Sequence, residues 1–289
     1  MIRAACAFAC LAIALCAQEF EHTQAERVAT GLEYADGIVW AREGFLVFAD
    51  VLKRTLYRVD PGVAPQPAPG GDGGAQGLTY DSQARLYICE LLNRRVVRMD
   101  RRGKIETLVD KFEGKKFNSP NDIVVRKDGQ IYFTDPAFGS AADNRELDFN
   151  GIFHMTPKGD LEAIARWQTR PNGITLSNDG KTLFVVDSDR HAVVAFDVAS
   201  HGGAGNARDV IQKIEGVPGG IRTDVDGRLY VAAKGLDIYS PQGQLEQQLL
   251  PGEILTNCAF GDNDFETLYV SGRTRIYKIR LGVKGALQY

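Results

Sequence analysis

Asp36-Gly-Ile-Val-Trp40, Phe45-Leu-Val-Phe-Ala-Asp50 and Leu56-Tyr-Arg-Val-Asp60 are short apolar runs separated by turns, and their order returns along the chain. The second copy reads Gly77-Leu-Thr-Tyr80, Leu86-Tyr-Ile-Cys-Glu90 and Val96-Val-Arg-Met-Asp100. Further copies open at Asp122-Ile-Val-Val125, Gly173-Ile-Thr-Leu176 and Gly220-Ile-Arg-Thr223. The last opens at Cys258-Ala-Phe260 and runs through Thr267-Leu-Tyr-Val-Ser271 and Ile276-Tyr-Lys-Ile279. The starts at 37, 77, 122, 173, 220 and 258 are 40, 45, 51, 47 and 38 residues apart. That is the length of one four-stranded propeller blade.

Local chemistry supports the period. Asp128-Gly129, Asp179-Gly180 and Asp226-Gly227 each separate two short strand-like runs, the strongest short-range hairpin signal. The runs are rich in Val, Ile, Tyr, Phe and Thr, and no amphipathic helical window competes with them. Fourth strands are expected at Ile105–Val109, Leu161–Ala165 and Val210–Ile214. The sixth copy has no room for one, whereas Glu26–Thr30 stands unmatched upstream of the first. The expectation is an all-β, six-bladed propeller of four-stranded blades, closed by this N-terminal strand pairing in the last blade and so freed of two exposed edges.

Composition sets the class. The chain has 289 residues, 44% hydrophobic and 25% charged, the proportions of a globular protein. Its net charge of −3 leaves no basic surplus for phosphates, which argues against nucleic-acid binding. Residues 1–17 read as an export signal: Arg3, then the apolar run Ala4–Leu15, closed by Cys16-Ala17, with cleavage expected after Ala17 or lipidation at Cys16. The run is too short to span a bilayer. Residues 18–289 then form one domain, exported to a periplasmic or extracellular space and without a membrane contact once the signal is removed. Removal also leaves Cys89 and Cys258 as the remaining cysteines, both in apolar runs, where burial explains them better than a disulfide framework.

Repetition brings equivalent positions to one axis. The residue before each blade's opening pair is Asp36, Gln76, Asn121, Asn172, Gly219 and Asn257, and five of these six carry a side-chain oxygen. Singly, each reads as a turn residue. Together they form a ring of carboxylate and amide oxygens suited to a hard divalent cation, Ca²⁺ before Zn²⁺. The second strands end on the same face with Asp50, Glu90, Asp135 and Asp187, whose first reading is as tethers bonded to backbone N–H groups.

Ser119-Pro-Asn-Asp-Ile-Val-Val125, Ile131-Tyr-Phe-Thr-Asp-Pro136, Pro171-Asn-Gly-Ile-Thr-Leu-Ser177 and Thr256-Asn-Cys-Ala-Phe-Gly261 resemble the gluconolactonase / senescence marker protein / luciferin-regenerating enzyme family in order and spacing. Glu90 followed by Asn93-Arg-Arg-Val96 is similar too, and the likeness covers residues 26 to 281. The resemblance implies a six-bladed propeller with a divalent cation, usually calcium, and hydrolysis of sugar lactones. It implies metal ligands at Asp36, Asn121 and Asn172. Two positions depart from the family: Asp36 stands where it has Glu, and Gly219 where it has an Asp that serves as ligand and favoured base.

The leading expectation is therefore an exported metal-dependent lactone hydrolase, with Gln76, Asn257 and Glu90 on the substrate side. Asp187 is the candidate base because its blade neighbours Gly219. The loss of the acid at 219 keeps open a propeller that binds a sugar-like molecule or a protein without turnover. A phosphoester or ester hydrolase is the third reading.

Overall fold

The structure, a computed structural model, describes residues 24–139 and 142–287. The expected export signal at 1–17 lies outside them. Strands follow one another in chain order, and among the described residues there is no α-helix. β1 (Ala25–Thr30) precedes the first repeat, which holds β2 (Ala35–Ala41), β3 (Phe45–Asp50), β4 (Thr55–Val59) and β5 (Gln66–Ala68). The second holds β6 (Ala75–Tyr80), β7 (Leu86–Glu90), β8 (Arg95–Met99) and β9 (Ile105–Val109), followed by a ribbon of β10 (Lys111–Phe112) and β11 (Lys115–Lys116). The third holds β12 (Ile123–Val125), β13 (Ile131–Asp135), β14 (Asn150–Met155) and β15 (Leu161–Trp167). The fourth holds β16 (Pro171–Leu176), β17 (Thr182–Asp187), β18 (Ala192–Val198) and β19 (Ala204–Ile211). Then come β20 (Ile221–Thr223), β21 (Leu229–Tyr239), β22 (Leu245–Gly261), β23 (Thr267–Gly272) and β24 (Arg275–Arg280).

Four four-stranded antiparallel sheets, β2–β5, β6–β9, β12–β15 and β16–β19, match four of the repeats strand for strand. The remainder is one six-stranded sheet in the order β1-β24-β23-β22-β21-β20. Its register explains the merger. β21 pairs with β20 through Leu229–Val231 and with β22 through Lys234–Tyr239. β22 in turn uses Leu245–Ile254 against β21 and Leu255–Gly261 against β23. Each long strand thus serves two pairings in succession, with the left-handed Gly235 where β21 changes partner. β1 pairs with β24 from Ala25↔Ile279 to Thr30↔Arg275, as the unmatched upstream strand required. One fourth strand differs from expectation: it spans Ala204–Ile211 rather than Val210–Ile214, because the Gly202-Gly203 turn after His201 starts it earlier.

The Asp-Gly hairpins form with a longer turn than a bare dipeptide. Gly129, Gly180 and Gly227 each take positive φ and donate N–H to the carbonyl three residues back, at Arg126, Ser177 and Asp224. Six apolar clusters fill the spaces between successive repeats; Tyr87, Cys89 and Val96, for example, pack with Phe117, Phe133 and Phe153. Each such side chain removed from water stabilises the packing by roughly 1.5–3 kcal/mol. Cys89 and Cys258 are free and buried in this packing, as expected. The architecture is an all-β, propeller-like fold whose first strands converge.

Candidate functional site

Convergence is visible in the contacts between first strands. Gly77 N donates to Asn121 O at 2.6 Å, Gly173 N to Gly219 O at 3.1 Å and Gly220 N to Thr256 O at 2.7 Å. Thr134 Oγ1 donates to Asn172 O at 2.7 Å, and Thr256 Oγ1 to Ala35 O at 2.8 Å. At this approach a Cβ on Gly37, Gly77, Gly173 or Gly220 would overlap atoms of the next strand, so these positions are glycine for want of space.

Each ring residue sits at a bulge. The register shifts between Ala35 and Ile38, Ala75 and Leu78, Pro171 and Ile174, and Leu255 and Asn257. At Asn121-Asp122 and at Gly219-Gly220, two residues oppose one: Thr134 in the first case, Ala232 in the second. A bulge re-aims the side chain of its extra residue, which is how a strand that would alternate its faces turns consecutive residues toward one centre.

Three predicted residues, Asp36, Gln76 and Asn257, are in contact there, while Asn121 and Asn172 open neighbouring strands of the same set. Gln76 Nε2 lies 3.4 Å from Asp36 Oδ2, and the Asn257 side chain also bonds the Asp36 carboxylate. Gln76, Asn121 and Asn257 are buried; Asp36 and Asn172 are half-buried. Asn172 Nδ2 donates to Ser188 Oγ at 3.0 Å, and Ser188 Oγ donates to Pro218 O at 2.7 Å, tying the fourth repeat to the fifth. Gln76 Oε1 is buried with no hydrogen-bond partner. An orphaned oxygen of that kind costs stability unless something it can coordinate is present. Burial, and then the nearby Asp122 carboxylate, hold the Asp36 carboxyl up to about 7; Asn257, Gln76 and Arg222 pull the other way. The adjacent Tyr34 phenol is pushed up to about 12, first by burial and then by Asp36, so it is a neutral hydroxyl at the ring's edge.

Two predicted residues do not join the ring. Asp187 is completely buried, its Oδ2 accepting from Thr169 Oγ1 at 2.7 Å and its Oδ1 from Arg190 N at 3.0 Å. Its assignment as base is corrected: a carboxylate enclosed and saturated in this way is a tether. Glu90 is taken up by Asn93 Nδ2 at 2.7 Å and Arg95 Nε at 2.5 Å, which removes it from the substrate side. Asp50 and Asp135 are tethers as well, accepting from Glu33 and Tyr34 N–H groups and from Asn118 and Ser119 N–H groups. The reading as tethers bonded to backbone N–H groups thus holds for Asp50, Asp135 and Asp187, whereas Glu90 is held by side chains instead.

Gly219 is not a simple vacancy for a missing acid. A Cβ there would fall inside contact distance of the Thr256 carbonyl oxygen, so the fifth repeat packs against the sixth at the position where the resemblance implies an Asp. Sequence reasoning missed Tyr34, Ser188, Asp122 and Arg222. The last two had a signal: they are the charged residues on inner-strand positions otherwise held by Gly, Cys, Val, Thr or Phe.

The donor set is one carboxylate with amide oxygens, without thiolate or imidazole. Among the described residues no three His, Cys, Asp or Glu side chains gather as a metal cluster. The orphaned Gln76 oxygen beside Asp36 nevertheless fits a hard cation, which takes amide carbonyls readily.

Residues 34–274 match the SMP-30/Gluconolactonase/LRE-like region, and the chain belongs to this family. It is similar to a gluconolactonase of Zymomonas mobilis subsp. mobilis, 30% identical over 291 residues that cover 89% of this chain and 81% of that one. A regucalcin of Gallus gallus is 34% identical over 277 residues, covering 87% of this chain and 92% of its own. Among solved structures, a gluconolactonase of Xanthomonas campestris superposes with a TM-score of 0.85 at 25% identity, covering 91% of each chain.

Proposed function

We propose that this member of the family hydrolyses a small lactone, of sugar-lactone type, at the ring of oxygens formed by Asp36, Gln76, Asn121, Asn172 and Asn257. The observation that carries the reading is the contact of Asp36 with Gln76 and Asn257, with an unpartnered buried carbonyl oxygen on Gln76. Similarity to gluconolactonases over most of the chain supports the reaction class. Dividing the six-stranded sheet where β21 and β22 change partners gives two blades, hence six in all, with β1 on β24 closing the ring. One domain from residue 18 onward, exported after loss of residues 1–17, completes this reading.

Asp36, Asn121 and Asn172 would hold a divalent cation, most suitably Ca²⁺, through oxygen atoms. When bound, such an ion supplies Lewis-acid polarisation of an ester carbonyl. The chain's own groups do the rest. Gln76 and Asn257 present amides that orient substrate hydroxyls. Tyr34, neutral at physiological pH, offers a hydroxyl at the edge. Asp36 is the one ring carboxylate, and a proton leaving the attacking water has this group as its nearest acceptor.

A second reading rests on Gly219. With no acid there and Asp187 enclosed, the site has the form of a receptor for a sugar-like molecule that is bound and released unchanged. Nuclear magnetic resonance of glucono-1,5-lactone incubated with the protein separates the two. Gluconate formed faster than by spontaneous opening supports hydrolysis; unaltered lactone with measurable binding supports the receptor. Faster release of acid from a phosphoester or simple ester than from any lactone would move the reaction class.

A further inference from the structure

Below the ring, the first strands carry two charged residues, and the fold brings them together. One position past the ring residue stand Gly37, Gly77, Asp122, Gly173, Gly220 and Cys258; three positions past it stand Val39, Thr79, Val124, Thr175, Arg222 and Phe260. Arg222 Nη1 lies 3.3 Å from Asp122 Oδ2, a pair formed between the third and fifth repeats across 100 residues of sequence. Asp122 Oδ1 also accepts from Ile123 N at 3.0 Å and Oδ2 from Ile174 N at 3.1 Å, while Arg222 Nη1 donates to Ile221 O at 2.7 Å. The side chains are 2% and 14% exposed. Arg222 also lines a cavity of about 60 Å³ with Trp40, Thr79, Phe260 and Leu287.

We infer that Arg222 is an internal cation that sets how tightly the ring holds a divalent ion: neutralising Asp122, it leaves the centre with the single net negative charge of Asp36. The inference rests on the proposed metal reading. Arg222 touches Asp122 and not the ring oxygens, so it acts through charge as a positioning residue. Asp122 directly follows the ring residue Asn121 and Arg222 is paired to it, so both charges stand beside the ring. The fifth repeat therefore weakens divalent binding twice, by lacking an acid at Gly219 and by supplying a guanidinium three residues later. In a poorly solvated centre, one unit charge several ångströms away changes the affinity for a divalent ion by about tenfold or more.

Calorimetric titration with Ca²⁺ at pH 8 and low salt tests this on the wild type, Arg222→Gln, Arg222→Lys, Asp122→Asn and the double variant Asp122→Asn/Arg222→Gln. The expected order is a dissociation constant about tenfold lower for Arg222→Gln and about tenfold higher for Asp122→Asn. Arg222→Lys and the charge-balanced double variant stay within about threefold of wild type, because the net charge is unchanged. Should Arg222→Gln fail to fold, with Asp122 left buried and unpaired, Asp122→Asn and the double variant carry the same comparison. Calcium binding to the wild type with no tightening in a folded Arg222→Gln, or no weakening in Asp122→Asn, overturns this inference alone. No calcium binding to any of the chains overturns the metal reading and this inference with it.

Discussion

At the third repeat and at the fifth, the same bulge opens the first strand, with opposite consequences. Asn121 N donates to Thr134 O and Gly219 N to Ala232 O, both at 2.8 Å, so the backbones are equivalent. The third repeat presents an amide to the centre and follows it with Asp122. The fifth presents no side chain, and the Thr256 carbonyl oxygen lies where a Cβ would need to be. A repeat fixes where a functional side chain is to be aimed, and the packing of neighbouring repeats decides whether one fits. The proposed site is therefore one-sided: the oxygen-bearing positions belong to every repeat but the fifth, which supplies Arg222 instead.

The sharpest break in that comparison is at Asp36. Asp36→Asn removes the ring's one carboxylate and is expected to lower kcat/KM by about a hundredfold or more. The same change should stabilise the cation-free protein. The folded-state value of about 7 lies above the unfolded value, so the native state binds the extra proton and its stability falls as pH rises through that interval. Above it, a desolvated carboxylate stays ionised. Asn relieves this by roughly 2 kcal/mol at pH 8 and by almost nothing at pH 4, which thermal melts in chelator will read. A variant less stable than wild type at pH 8 would contradict the burial of Asp36 beside Asp122.

Next in size is Gly219→Asp. Restoring the family's residue should cost about 2–4 kcal/mol in urea unfolding and add no calcium affinity, and Gly219→Ala should cost nearly as much. A stable Gly219→Asp that binds calcium more tightly would show that the fifth repeat is open after all. On the open side, Asn172→Asp should tighten calcium binding by about tenfold through an added ligand charge. It also forces Ser188 Oγ to donate to the new carboxylate rather than to Pro218 O. Equal affinity would remove Asn172 from the ligand set. The smallest effect belongs to Asp187→Asn: kcat within about threefold of wild type, with stability lower by about 1–2 kcal/mol as one tether bond is lost. A collapse of kcat in a folded protein would return Asp187 to the chemistry.

The repeat was legible because it is written in short range: apolar runs of period two, Asp-Gly turns and a steady spacing all lie within one copy. The partner of Glu26–Thr30 was legible for the complementary reason, that the last copy lacks a strand. Less legible was the junction at Lys234-Gly235, where the turn is so short that β21 continues through it. The meeting of Asp36, Gln76 and Asn257 was legible because equivalent positions of the repeat are neighbours, while their orientation depends on bulges that sequence does not mark. The role of Asp187 was hidden for another reason: its partners, Thr169 and the N–H of Arg190, lie in loops, whereas Glu90 meets Arg95 as a cross-strand pair of β7 and β8. Asp122 and Arg222 stand far apart in the chain, and each alone reads as a polar interruption of an apolar strand.

The central claim is that the open, oxygen-lined side of this centre performs metal-supported lactone hydrolysis without an acid at residue 219. A pH-stat assay on the purified protein tests it most directly, following glucono-1,5-lactone after chelator treatment and again after calcium is restored, with spontaneous opening subtracted. The account predicts activity that falls to background with chelator, returns with calcium and is absent throughout in Asp36→Asn. Background rates under every condition, or activity that Asp36→Asn retains in full, would contradict it.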